Sequence, residues 1–425
     1  MQIAVVGLGR VGLPVLAALA KNKNIVTGID YDKNKVNMLN KYCSCGFYEP
    51  DLEETIRANR NKINFTTEIS KVSSQDAVII TIGTPLNRKG IPNISYAMRK
   101  IMKIASYIKE DSTLIIKTTL PPGSTRKIGE AISGKNIYLS YCPERIVEGK
   151  AMLELEHDPK IIGGINRKSI IKAKAIIGQI GGDIIEVSSL EAAEICKLLD
   201  NTFRTVNIAY SNEICNTCEK MGIDANEVIM TVNRSYKRNN IFSPGLGADG
   251  TCLYKDCQIY TTLIQGHTKE SMIYRSMTTS QSVISKIYEI ANNFSVNHDI
   301  QPEISLIGLA YKGKPPTDDT RESAATKLYD ILKRKYHNIK GFDPLVKQFF
   351  EVAMQDSIHS CINNSNIILL LTNHPELMDI DSAEIIRIAA RPLLIIDCWG
   401  NIRNPEAIKS EKDIRLYKIG KGWVS

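Results

Sequence analysis

The feature that most limits what this chain can fold into is a repeating texture: short apolar runs separated by amphipathic stretches. Gln2–Val6, Ile25–Ile29, Ala77–Ile82, Thr113–Lys117, Ile137–Ser140, Lys160–Ile162 and Ile184–Val187 have the length and β-branched content of strands. Helical periodicity falls between several of them, at Leu13–Lys21, Lys33–Lys41 and Ala97–Ile108. Strands alternating with helices predict βαβ units around a mostly parallel sheet. The rhythm resumes near the end, with strands expected at Ile304–Leu309, Ile339–Phe342, Ile367–Leu371 and Leu393–Ile396 and a helix at Ala324–Lys335. Between the two blocks, residues 190–221 carry no strand signal. Ala193, Cys196, Leu199, Asn201, Phe203, Val206 and Ala209 recur there at helical spacing, as one long helix would require. More helix is expected around 224–233 and 254–293, and 294–303 reads as a linker.

Gly7-Leu8-Gly9-Arg10-Val11-Gly12 sits between the first strand and the first helix, and the second strand runs into Asp30. In that setting the glycines let backbone approach a pyrophosphate, and the helix N-terminus stabilises its charge. An acid about 20 residues on can accept hydrogen bonds from the ribose hydroxyls and repels a 2′-phosphate, so NAD is the expected cofactor. Lys35 could add charge at the adenosine end or be a solvated helix lysine. The fold class expected is therefore α/β: two Rossmann-like doubly wound domains joined by a central helical domain with a long helix. The boundaries expected are 1–189 for NAD binding, 190–295 for the helical middle and 296–425 for the second βα domain.

Composition closes off other classes. The charge balance of 54 Lys and Arg against 46 Asp and Glu gives +8, with no basic run interleaved with aromatics, so nucleic acid is not an expected partner. No stretch approaches the about 18 apolar residues a membrane helix needs. The apolar start lacks a basic leader segment and its glycines have another use. Ten scattered Cys fit a reduced, cytoplasmic protein. Cys215 and Cys218 form a CxxC, but there is no second pair or His set at matching spacing, so no metal is expected.

Gly83-Thr84-Pro85 and Thr119-Leu120-Pro121-Pro122-Gly123 directly follow strands, where loops border the cofactor crevice of such sheets. Each Thr is either a ligand contact or an ordinary turn residue. Pro244-Gly245-Leu246-Gly247-Ala248-Asp249-Gly250-Thr251-Cys252 places a thiol after a glycine-rich turn, with Lys255 and Asp256 three and four residues on. A helix starting near Cys252 would put Asp256 one turn away on the same face. A helix N-terminus favours the thiolate, the nucleophilic form of cysteine. A buried structural cysteine is the competing reading.

Taken together, GLGRVGLP, Asp30, GTP, TTLPPGST, CPERIVEGK, EAAEICKLLDNTFRTVNIAYSNE, PG-x-G…GTC-x-x-KD and GLAYK…TDDTRES resemble the UDP-glucose/GDP-mannose dehydrogenase family. The motifs occur in that family's order across nearly the whole chain. The resemblance implies an NAD enzyme that dimerises through the central domain and binds a nucleotide sugar with its carboxyl-terminal domain. It implies four-electron oxidation of the C6 alcohol to a carboxylate, yielding uronic acid for polysaccharide synthesis.

The resemblance also assigns roles. Cys252 matches the nucleophile that traps the C6 aldehyde as a thiohemiacetal and then carries a thioester. Lys197 and Asn201 match the oxyanion-stabilising pair, and Asp256 the acid beside the nucleophile. Glu144, acting through Thr119, matches the group that activates the hydrolytic water. Gly7, Gly9, Val11, Gly12, Asp30, Lys35, Thr84, Glu148, Lys255 and Arg321 match cofactor-binding positions, with Glu148 near the nicotinamide. Arg145, Ile146, Val147, Arg234, Phe242, Gly245, Asp249, Lys312 and His374 match positions that hold the nucleotide sugar. Asp249-Gly250-Thr251 replaces the two adjacent glycines usual before the residue preceding the Cys, and the loop between Lys312 and Arg321 is longer than expected.

Cys-Pro-Glu-Arg, Asn233-Arg234 and Thr372-Asn373-His374-Pro375-Glu376 resemble the branch acting on UDP-N-acetylmannosamine or UDP-N-acetylglucosamine. Lys255-Asp256 is closer to the UDP-glucose and GDP-mannose branches. Two rivals remain: a two-electron 3-hydroxyacid dehydrogenase, which needs neither Cys252 nor a second βα domain, and an inactive NAD or sugar-nucleotide sensor.

Overall fold

The structure is a computed structural model of the full chain. It describes residues 1–87, 90–247, 250–264 and 268–425. The chain divides into two compact units: Met1–Asp200 with Gln258–Leu263, and Asn201–Cys257 with Ile264–Ser425.

The first unit is built on an eight-stranded sheet. Its strands are β1 (Gln2–Val6), β2 (Ile25–Ile29), β3 (Ile63–Thr66), β4 (Ala77–Ile80), β5 (Thr113–Ile116), β6 (Tyr138–Tyr141), β7 (Lys160–Gly164) and β8 (Ile184–Glu186). They lie in the order β3-β2-β1-β4-β5-β6-β7-β8, all parallel except the β6–β7 pair. Ile3 and Val5 face one hydrophobic cluster, Ala4 and Val6 the other, so both faces of the sheet are covered. That is why the strands read as unbroken apolar runs and not as alternating ones. The order reverses between β1 and β4, and the crevice at their carboxyl ends is where such sheets bind ligands.

The second unit contains a seven-stranded sheet. It comprises β9 (Ile304–Ile307), β10 (Ile339–Phe342), β11 (Ala353–Met354), β12 (Ile367–Leu370), β14 (Leu393–Asp397), β16 (Ile414–Lys418) and β17 (Gly422–Trp423). Their order is β11-β10-β9-β12-β14-β16-β17, parallel except for the last pair. A separate two-stranded sheet joins β13 (Ile380–Asp381) and β15 (Ile402–Arg403). Leu306 and Leu369 pack on one face of the larger sheet, Ile307 and Leu370 on the other.

Most predicted elements form within a residue or two of expectation, including the helix Leu190–Lys220. Others differ. Strands β3 at Ile63–Thr66 and β16 at Ile414–Lys418, and the two-residue strands β11, β13, β15 and β17, are present where none was expected. The helix expected over 254–293 is two helices, Thr251–Thr261 and Met272–Asn297. The latter extends into the start of the expected linker, to Asn297, because Phe294 is buried and its ring lies 4.4 Å from that of His298, which anchors the last turn. Among the described residues no helix is long and apolar enough to cross a membrane.

Candidate active site

At the carboxyl end of β1 the glycines are shaped by what surrounds them. Gly7 has φ +101°, a conformation that favours glycine. A Cβ on Gly12 would overlap the Gly7 carbonyl oxygen, whereas a Cβ on Gly9 would meet nothing within 4 Å. The loop is therefore closed on the protein side and open at Gly9, which suits a pyrophosphate lying on backbone. Thr81 Oγ1 fixes it by donating to Gly7 O at 2.7 Å and to Val6 O at 3.1 Å. Val11 precedes the helix Gly12–Lys21, whose positive end lies on the glycine loop and favours an anion.

Asp30, buried at the end of β2, accepts the Leu8 N–H at 2.8 Å and the Asp32 N–H at 3.1 Å, and its Oδ2 lies 3.3 Å from Lys35 Nζ. It thus ties the glycine loop to the helix that carries Lys35. Arg10, which the sequence reading passed over, extends from the same loop over the Phe47 ring at 4.8 Å and pairs with Glu148 at 3.6 Å. This links Glu148 to the dinucleotide loop.

The loops after β4 and β5 are joined: Thr84 Oγ1, buried, donates to the Thr119 carbonyl at 2.8 Å. Thr118 donates to Ile82 O at 2.9 Å. Glu194, fully buried on the long helix, accepts from Gly123 N, Thr125 N and Thr125 Oγ1 and so anchors the following turn. Burial holds its carboxyl above the ordinary value despite these bonds. Lys197 lies three residues further along that helix and is half-buried.

Behind the β5 loop lies a charged pair, of which sequence reasoning named Glu144 and missed Lys117. Lys117 is 1% and Glu144 8% exposed at the side chain, and Lys117 Nζ stands 3.2 Å from Glu144 Oε2. Lys117 also donates to Cys142 Sγ at 3.4 Å. Burial opposes the ammonium, but Cys142 and Glu144 outweigh it and its pKa is pushed up to about 12. Burial pushes the Cys142 thiol up as well. Glu144 Oε1 accepts the N–H groups of Arg145 at 2.9 Å and Ile146 at 3.3 Å. The Arg145 side chain pairs with Asp200 at 2.8 Å, and the Val147 N–H donates to Glu154 at 2.6 Å.

In the second unit Cys252 is exposed and is the second residue of the helix Thr251–Thr261. Asp256 is fully buried one turn on. Its Oδ2 accepts from Asn201 Nδ2 at 2.6 Å, while its Oδ1 lies 3.4 Å from Lys255 Nζ and accepts no aligned hydrogen bond. Burial works against the Lys255 ammonium, but Asp256 and Cys252 outweigh it and hold its pKa above the ordinary value. Asn201, Cys252, Lys255 and Asp256 therefore share one neighbourhood.

The segment before this helix is clamped by asparagines. Asn207 accepts the Phe242 N–H at 2.8 Å, Asn212 the Gly245 N–H at 3.0 Å and Asn233 the Ile241 N–H at 2.9 Å. The Phe242 ring meets Phe203 edge-on at 6.0 Å. Gly245 lies against the Trp399 ring, where a Cβ would come within 2.7 Å. Gly250, at φ +85°, is pressed on Tyr311. Asp249 lies outside the described residues. Arg234 is exposed, just after Asn233.

On the loop after β9, the Lys312 ammonium lies 5.6 Å from the Tyr311 ring centroid and Arg321 is gripped by Asp319 at 2.6 Å. Asn373 accepts the Gly313 N–H at 3.2 Å, and buried His374 accepts the Glu376 N–H at 3.2 Å. The asparagine clamp was also missed by sequence reasoning; its signal, three Asn at unlike spacings, has no local pattern.

Comparison with known proteins agrees with this layout. The NAD binding domain of the UDP-glucose/GDP-mannose dehydrogenase family matches residues 1–180, its central domain 191–283 and its UDP binding domain 305–404. A UDP-N-acetyl-D-mannosamine dehydrogenase of Methanococcus vannielii is 32% identical over 432 aligned positions, covering 99% of this chain and 97% of that protein. The solved UDP-N-acetylmannosamine dehydrogenase of Pyrococcus horikoshii is 27% identical with a TM-score of 0.87, covering 99% of this chain and 100% of its own. That of Staphylococcus aureus is 27% identical with a TM-score of 0.83, covering 99% and 98%. The chain belongs to the UDP-glucose/GDP-mannose dehydrogenase family and is an NAD-dependent oxidoreductase of nucleotide sugars.

Proposed function

We propose that the protein is a UDP-N-acetylhexosamine 6-dehydrogenase, with UDP-N-acetylmannosamine the first substrate to test. The observation that carries the four-electron reading is an exposed Cys252 at the start of a helix, beside buried Lys255 and an Asp256–Asn201 pair. Cys-Pro-Glu-Arg and the Asn373-His374 pair, together with the mannosamine-type relatives, support the choice of sugar. Lys255-Asp256 keeps UDP-glucose or GDP-mannose as the second reading.

The glycine loop, Asp30, Lys35 and the Glu148–Arg10 pair would hold NAD, which when bound accepts a hydride from C6 in each of two oxidations. Lys197 and Asn201 would stabilise the oxyanion as the alcohol becomes an aldehyde. The Cys252 sulfur would add to the aldehyde carbon, giving a thiohemiacetal that can lose a second hydride to leave a thioester. Water would then add to the acyl carbon, lose a proton toward Glu144 and expel the thiolate. Asp256 would orient Lys197 or water. Glu144 would act on that water through Thr119. Arg145, Ile146, Val147, Arg234, Phe242, Gly245, Asp249, Lys312 and His374 would hold the nucleotide sugar, with Thr84, Val11, Lys255 and Arg321 lining the cofactor side.

We further read a division at 1–189, 190–295 and 296–425, with a homodimer formed through the central helices. Exposed Leu199, Phe203 and Tyr210 recur along the long helix at spacings of four and seven, an apolar stripe suited to a second copy. The free thiols support a cytoplasmic setting. A panel of UDP- and GDP-sugars assayed for reduced nicotinamide tests the whole reading. UDP-N-acetylmannosamine should give about two NADH per sugar, as a thioester route requires. About one would support the hydroxyacid-type alternative, and none with any sugar a sensor.

A further inference from the structure

Lys117 is the cation buried against Glu144, and its cost needs a reason. Taking an ammonium and a carboxylate out of water costs several kcal/mol per ion, and an apolar pair of similar volume is often as stable or more so. Stability alone therefore does not call for this pair. Its geometry does something else. One oxygen of Glu144 is held by the N–H groups of Arg145 and Ile146, which fixes the plane of the carboxylate. The other oxygen is buried and faces the Lys117 ammonium at 3.2 Å, so both oxygens are fixed by named donors.

The remaining titratable groups packed there do not replace Lys117. Cys142, on the strand end beside it, accepts from the ammonium. Lys160, at the start of β7, donates to the carbonyls of Glu154, Leu155 and Asp158, and burial lowers its pKa. Lys117 sits immediately before Thr118 and Thr119, so one strand end delivers both the cation and the loop that Thr84 ties down.

We propose that Lys117 is a positioning residue for thioester hydrolysis: its buried ammonium is the counter-charge that holds the Glu144 carboxylate aimed while water is deprotonated. This rests on the role given to Glu144 under the proposed function. Water oxygen bonds to the acyl carbon, one water proton passes to Glu144, and the C–S bond breaks with its electron pair going to the Cys252 sulfur.

The test is rapid quenching of enzyme with NAD and UDP-N-acetylmannosamine, followed by intact mass of the protein. Glu144→Gln should accumulate an acyl adduct at every pH. Lys117→Met should accumulate the same adduct at pH 7, with hydrolysis slowed about tenfold or more, and should recover as pH rises by about one to three units. The double variant, which leaves no unpaired buried charge, should hydrolyse no more slowly than Glu144→Gln alone. If Lys117→Met folds poorly, that double variant still decides the matter. Hydrolysis in Lys117→Met at the wild-type rate, or a loss that ignores pH and multiplies with that of Glu144→Gln, would overturn the inference. Normal hydrolysis in Glu144→Gln would instead remove the role of Glu144 itself.

Discussion

The two doubly wound sheets use the same local grammar for different ends. In the first, β1 leads into Gly7 and an acid at the end of β2 accepts one N–H from the glycine loop, that of Leu8. In the second, β9 leads into Gly308, also at positive φ, and Asp343 at the end of β10 occupies the matching place. Asp343 Oδ2 accepts Leu309 N at 2.7 Å and Ala310 N at 3.2 Å, while Oδ1 accepts Leu345 N and Val346 N. Both its oxygens are engaged by backbone. Asp30 has a lysine and two N–H groups as partners, one of them the Asp32 N–H two residues on.

The helices differ too. Gly12–Lys21 starts directly after the glycine loop, whereas the next helix after Gly308 is Ala324–Leu332, beyond a long loop carrying Lys312 and Arg321. The first lobe leaves a helix N-terminus on its glycine turn. The second replaces that turn with a loop bearing cations. The acid at the strand end is thus held by two backbone N–H groups and a lysine in one lobe, and by four backbone N–H groups in the other.

Three substitutions sharpen or break this contrast. Gly12→Ala should have the largest effect on the cofactor, because its Cβ would overlap backbone. Relieving it costs about 3 kcal/mol, about a hundredfold in NAD affinity by titration. An unchanged affinity would mean that the cradle lies elsewhere. Asp343→Ala should act on stability: orphaning buried N–H groups costs about 1–3 kcal/mol each. Thermal unfolding should fall by about 2–4 °C per kcal/mol, with NAD affinity unchanged. Asp30→Ala should act on the cofactor as well as on stability. It should raise the KM for NAD by about tenfold, from loss of a charged hydrogen bond of about 1.5–3 kcal/mol, and narrow the preference over NADP. Were Asp343→Ala to weaken NAD and Asp30→Ala to leave it alone, the assignment of the lobes would be reversed.

The legible parts were those with local periodicity or fixed spacing. The glycine loop, Asp30 and the helix beginning beside Cys252 could be read because turn chemistry and helix starts are local. Strand β3 escaped because Ile-Asn-Phe-Thr is a four-residue alternation with no flanking glycine or proline signal. The start of the linker at 294–303 was misread because Asn-Asn-Phe-Ser-Val-Asn looks polar, while Phe294 and Ser295 are in fact buried. Lys117 was invisible as a functional group since a lysine closing an apolar run reads as a strand leaving the core; only the fold shows it still inside. Asp343 shows the same limit, since nothing near it in sequence shows that backbone donors surround it.

Everything chemical in the proposal turns on the sulfur of Cys252. Turnover of the Cys252→Ser enzyme with NAD and UDP-N-acetylmannosamine, following uronate by chromatography and NADH by absorbance, is the most direct check. The expected result is no uronate released, with the cycle stalled before the acid forms. Uronate produced at the undiminished wild-type rate would contradict covalent catalysis at this residue.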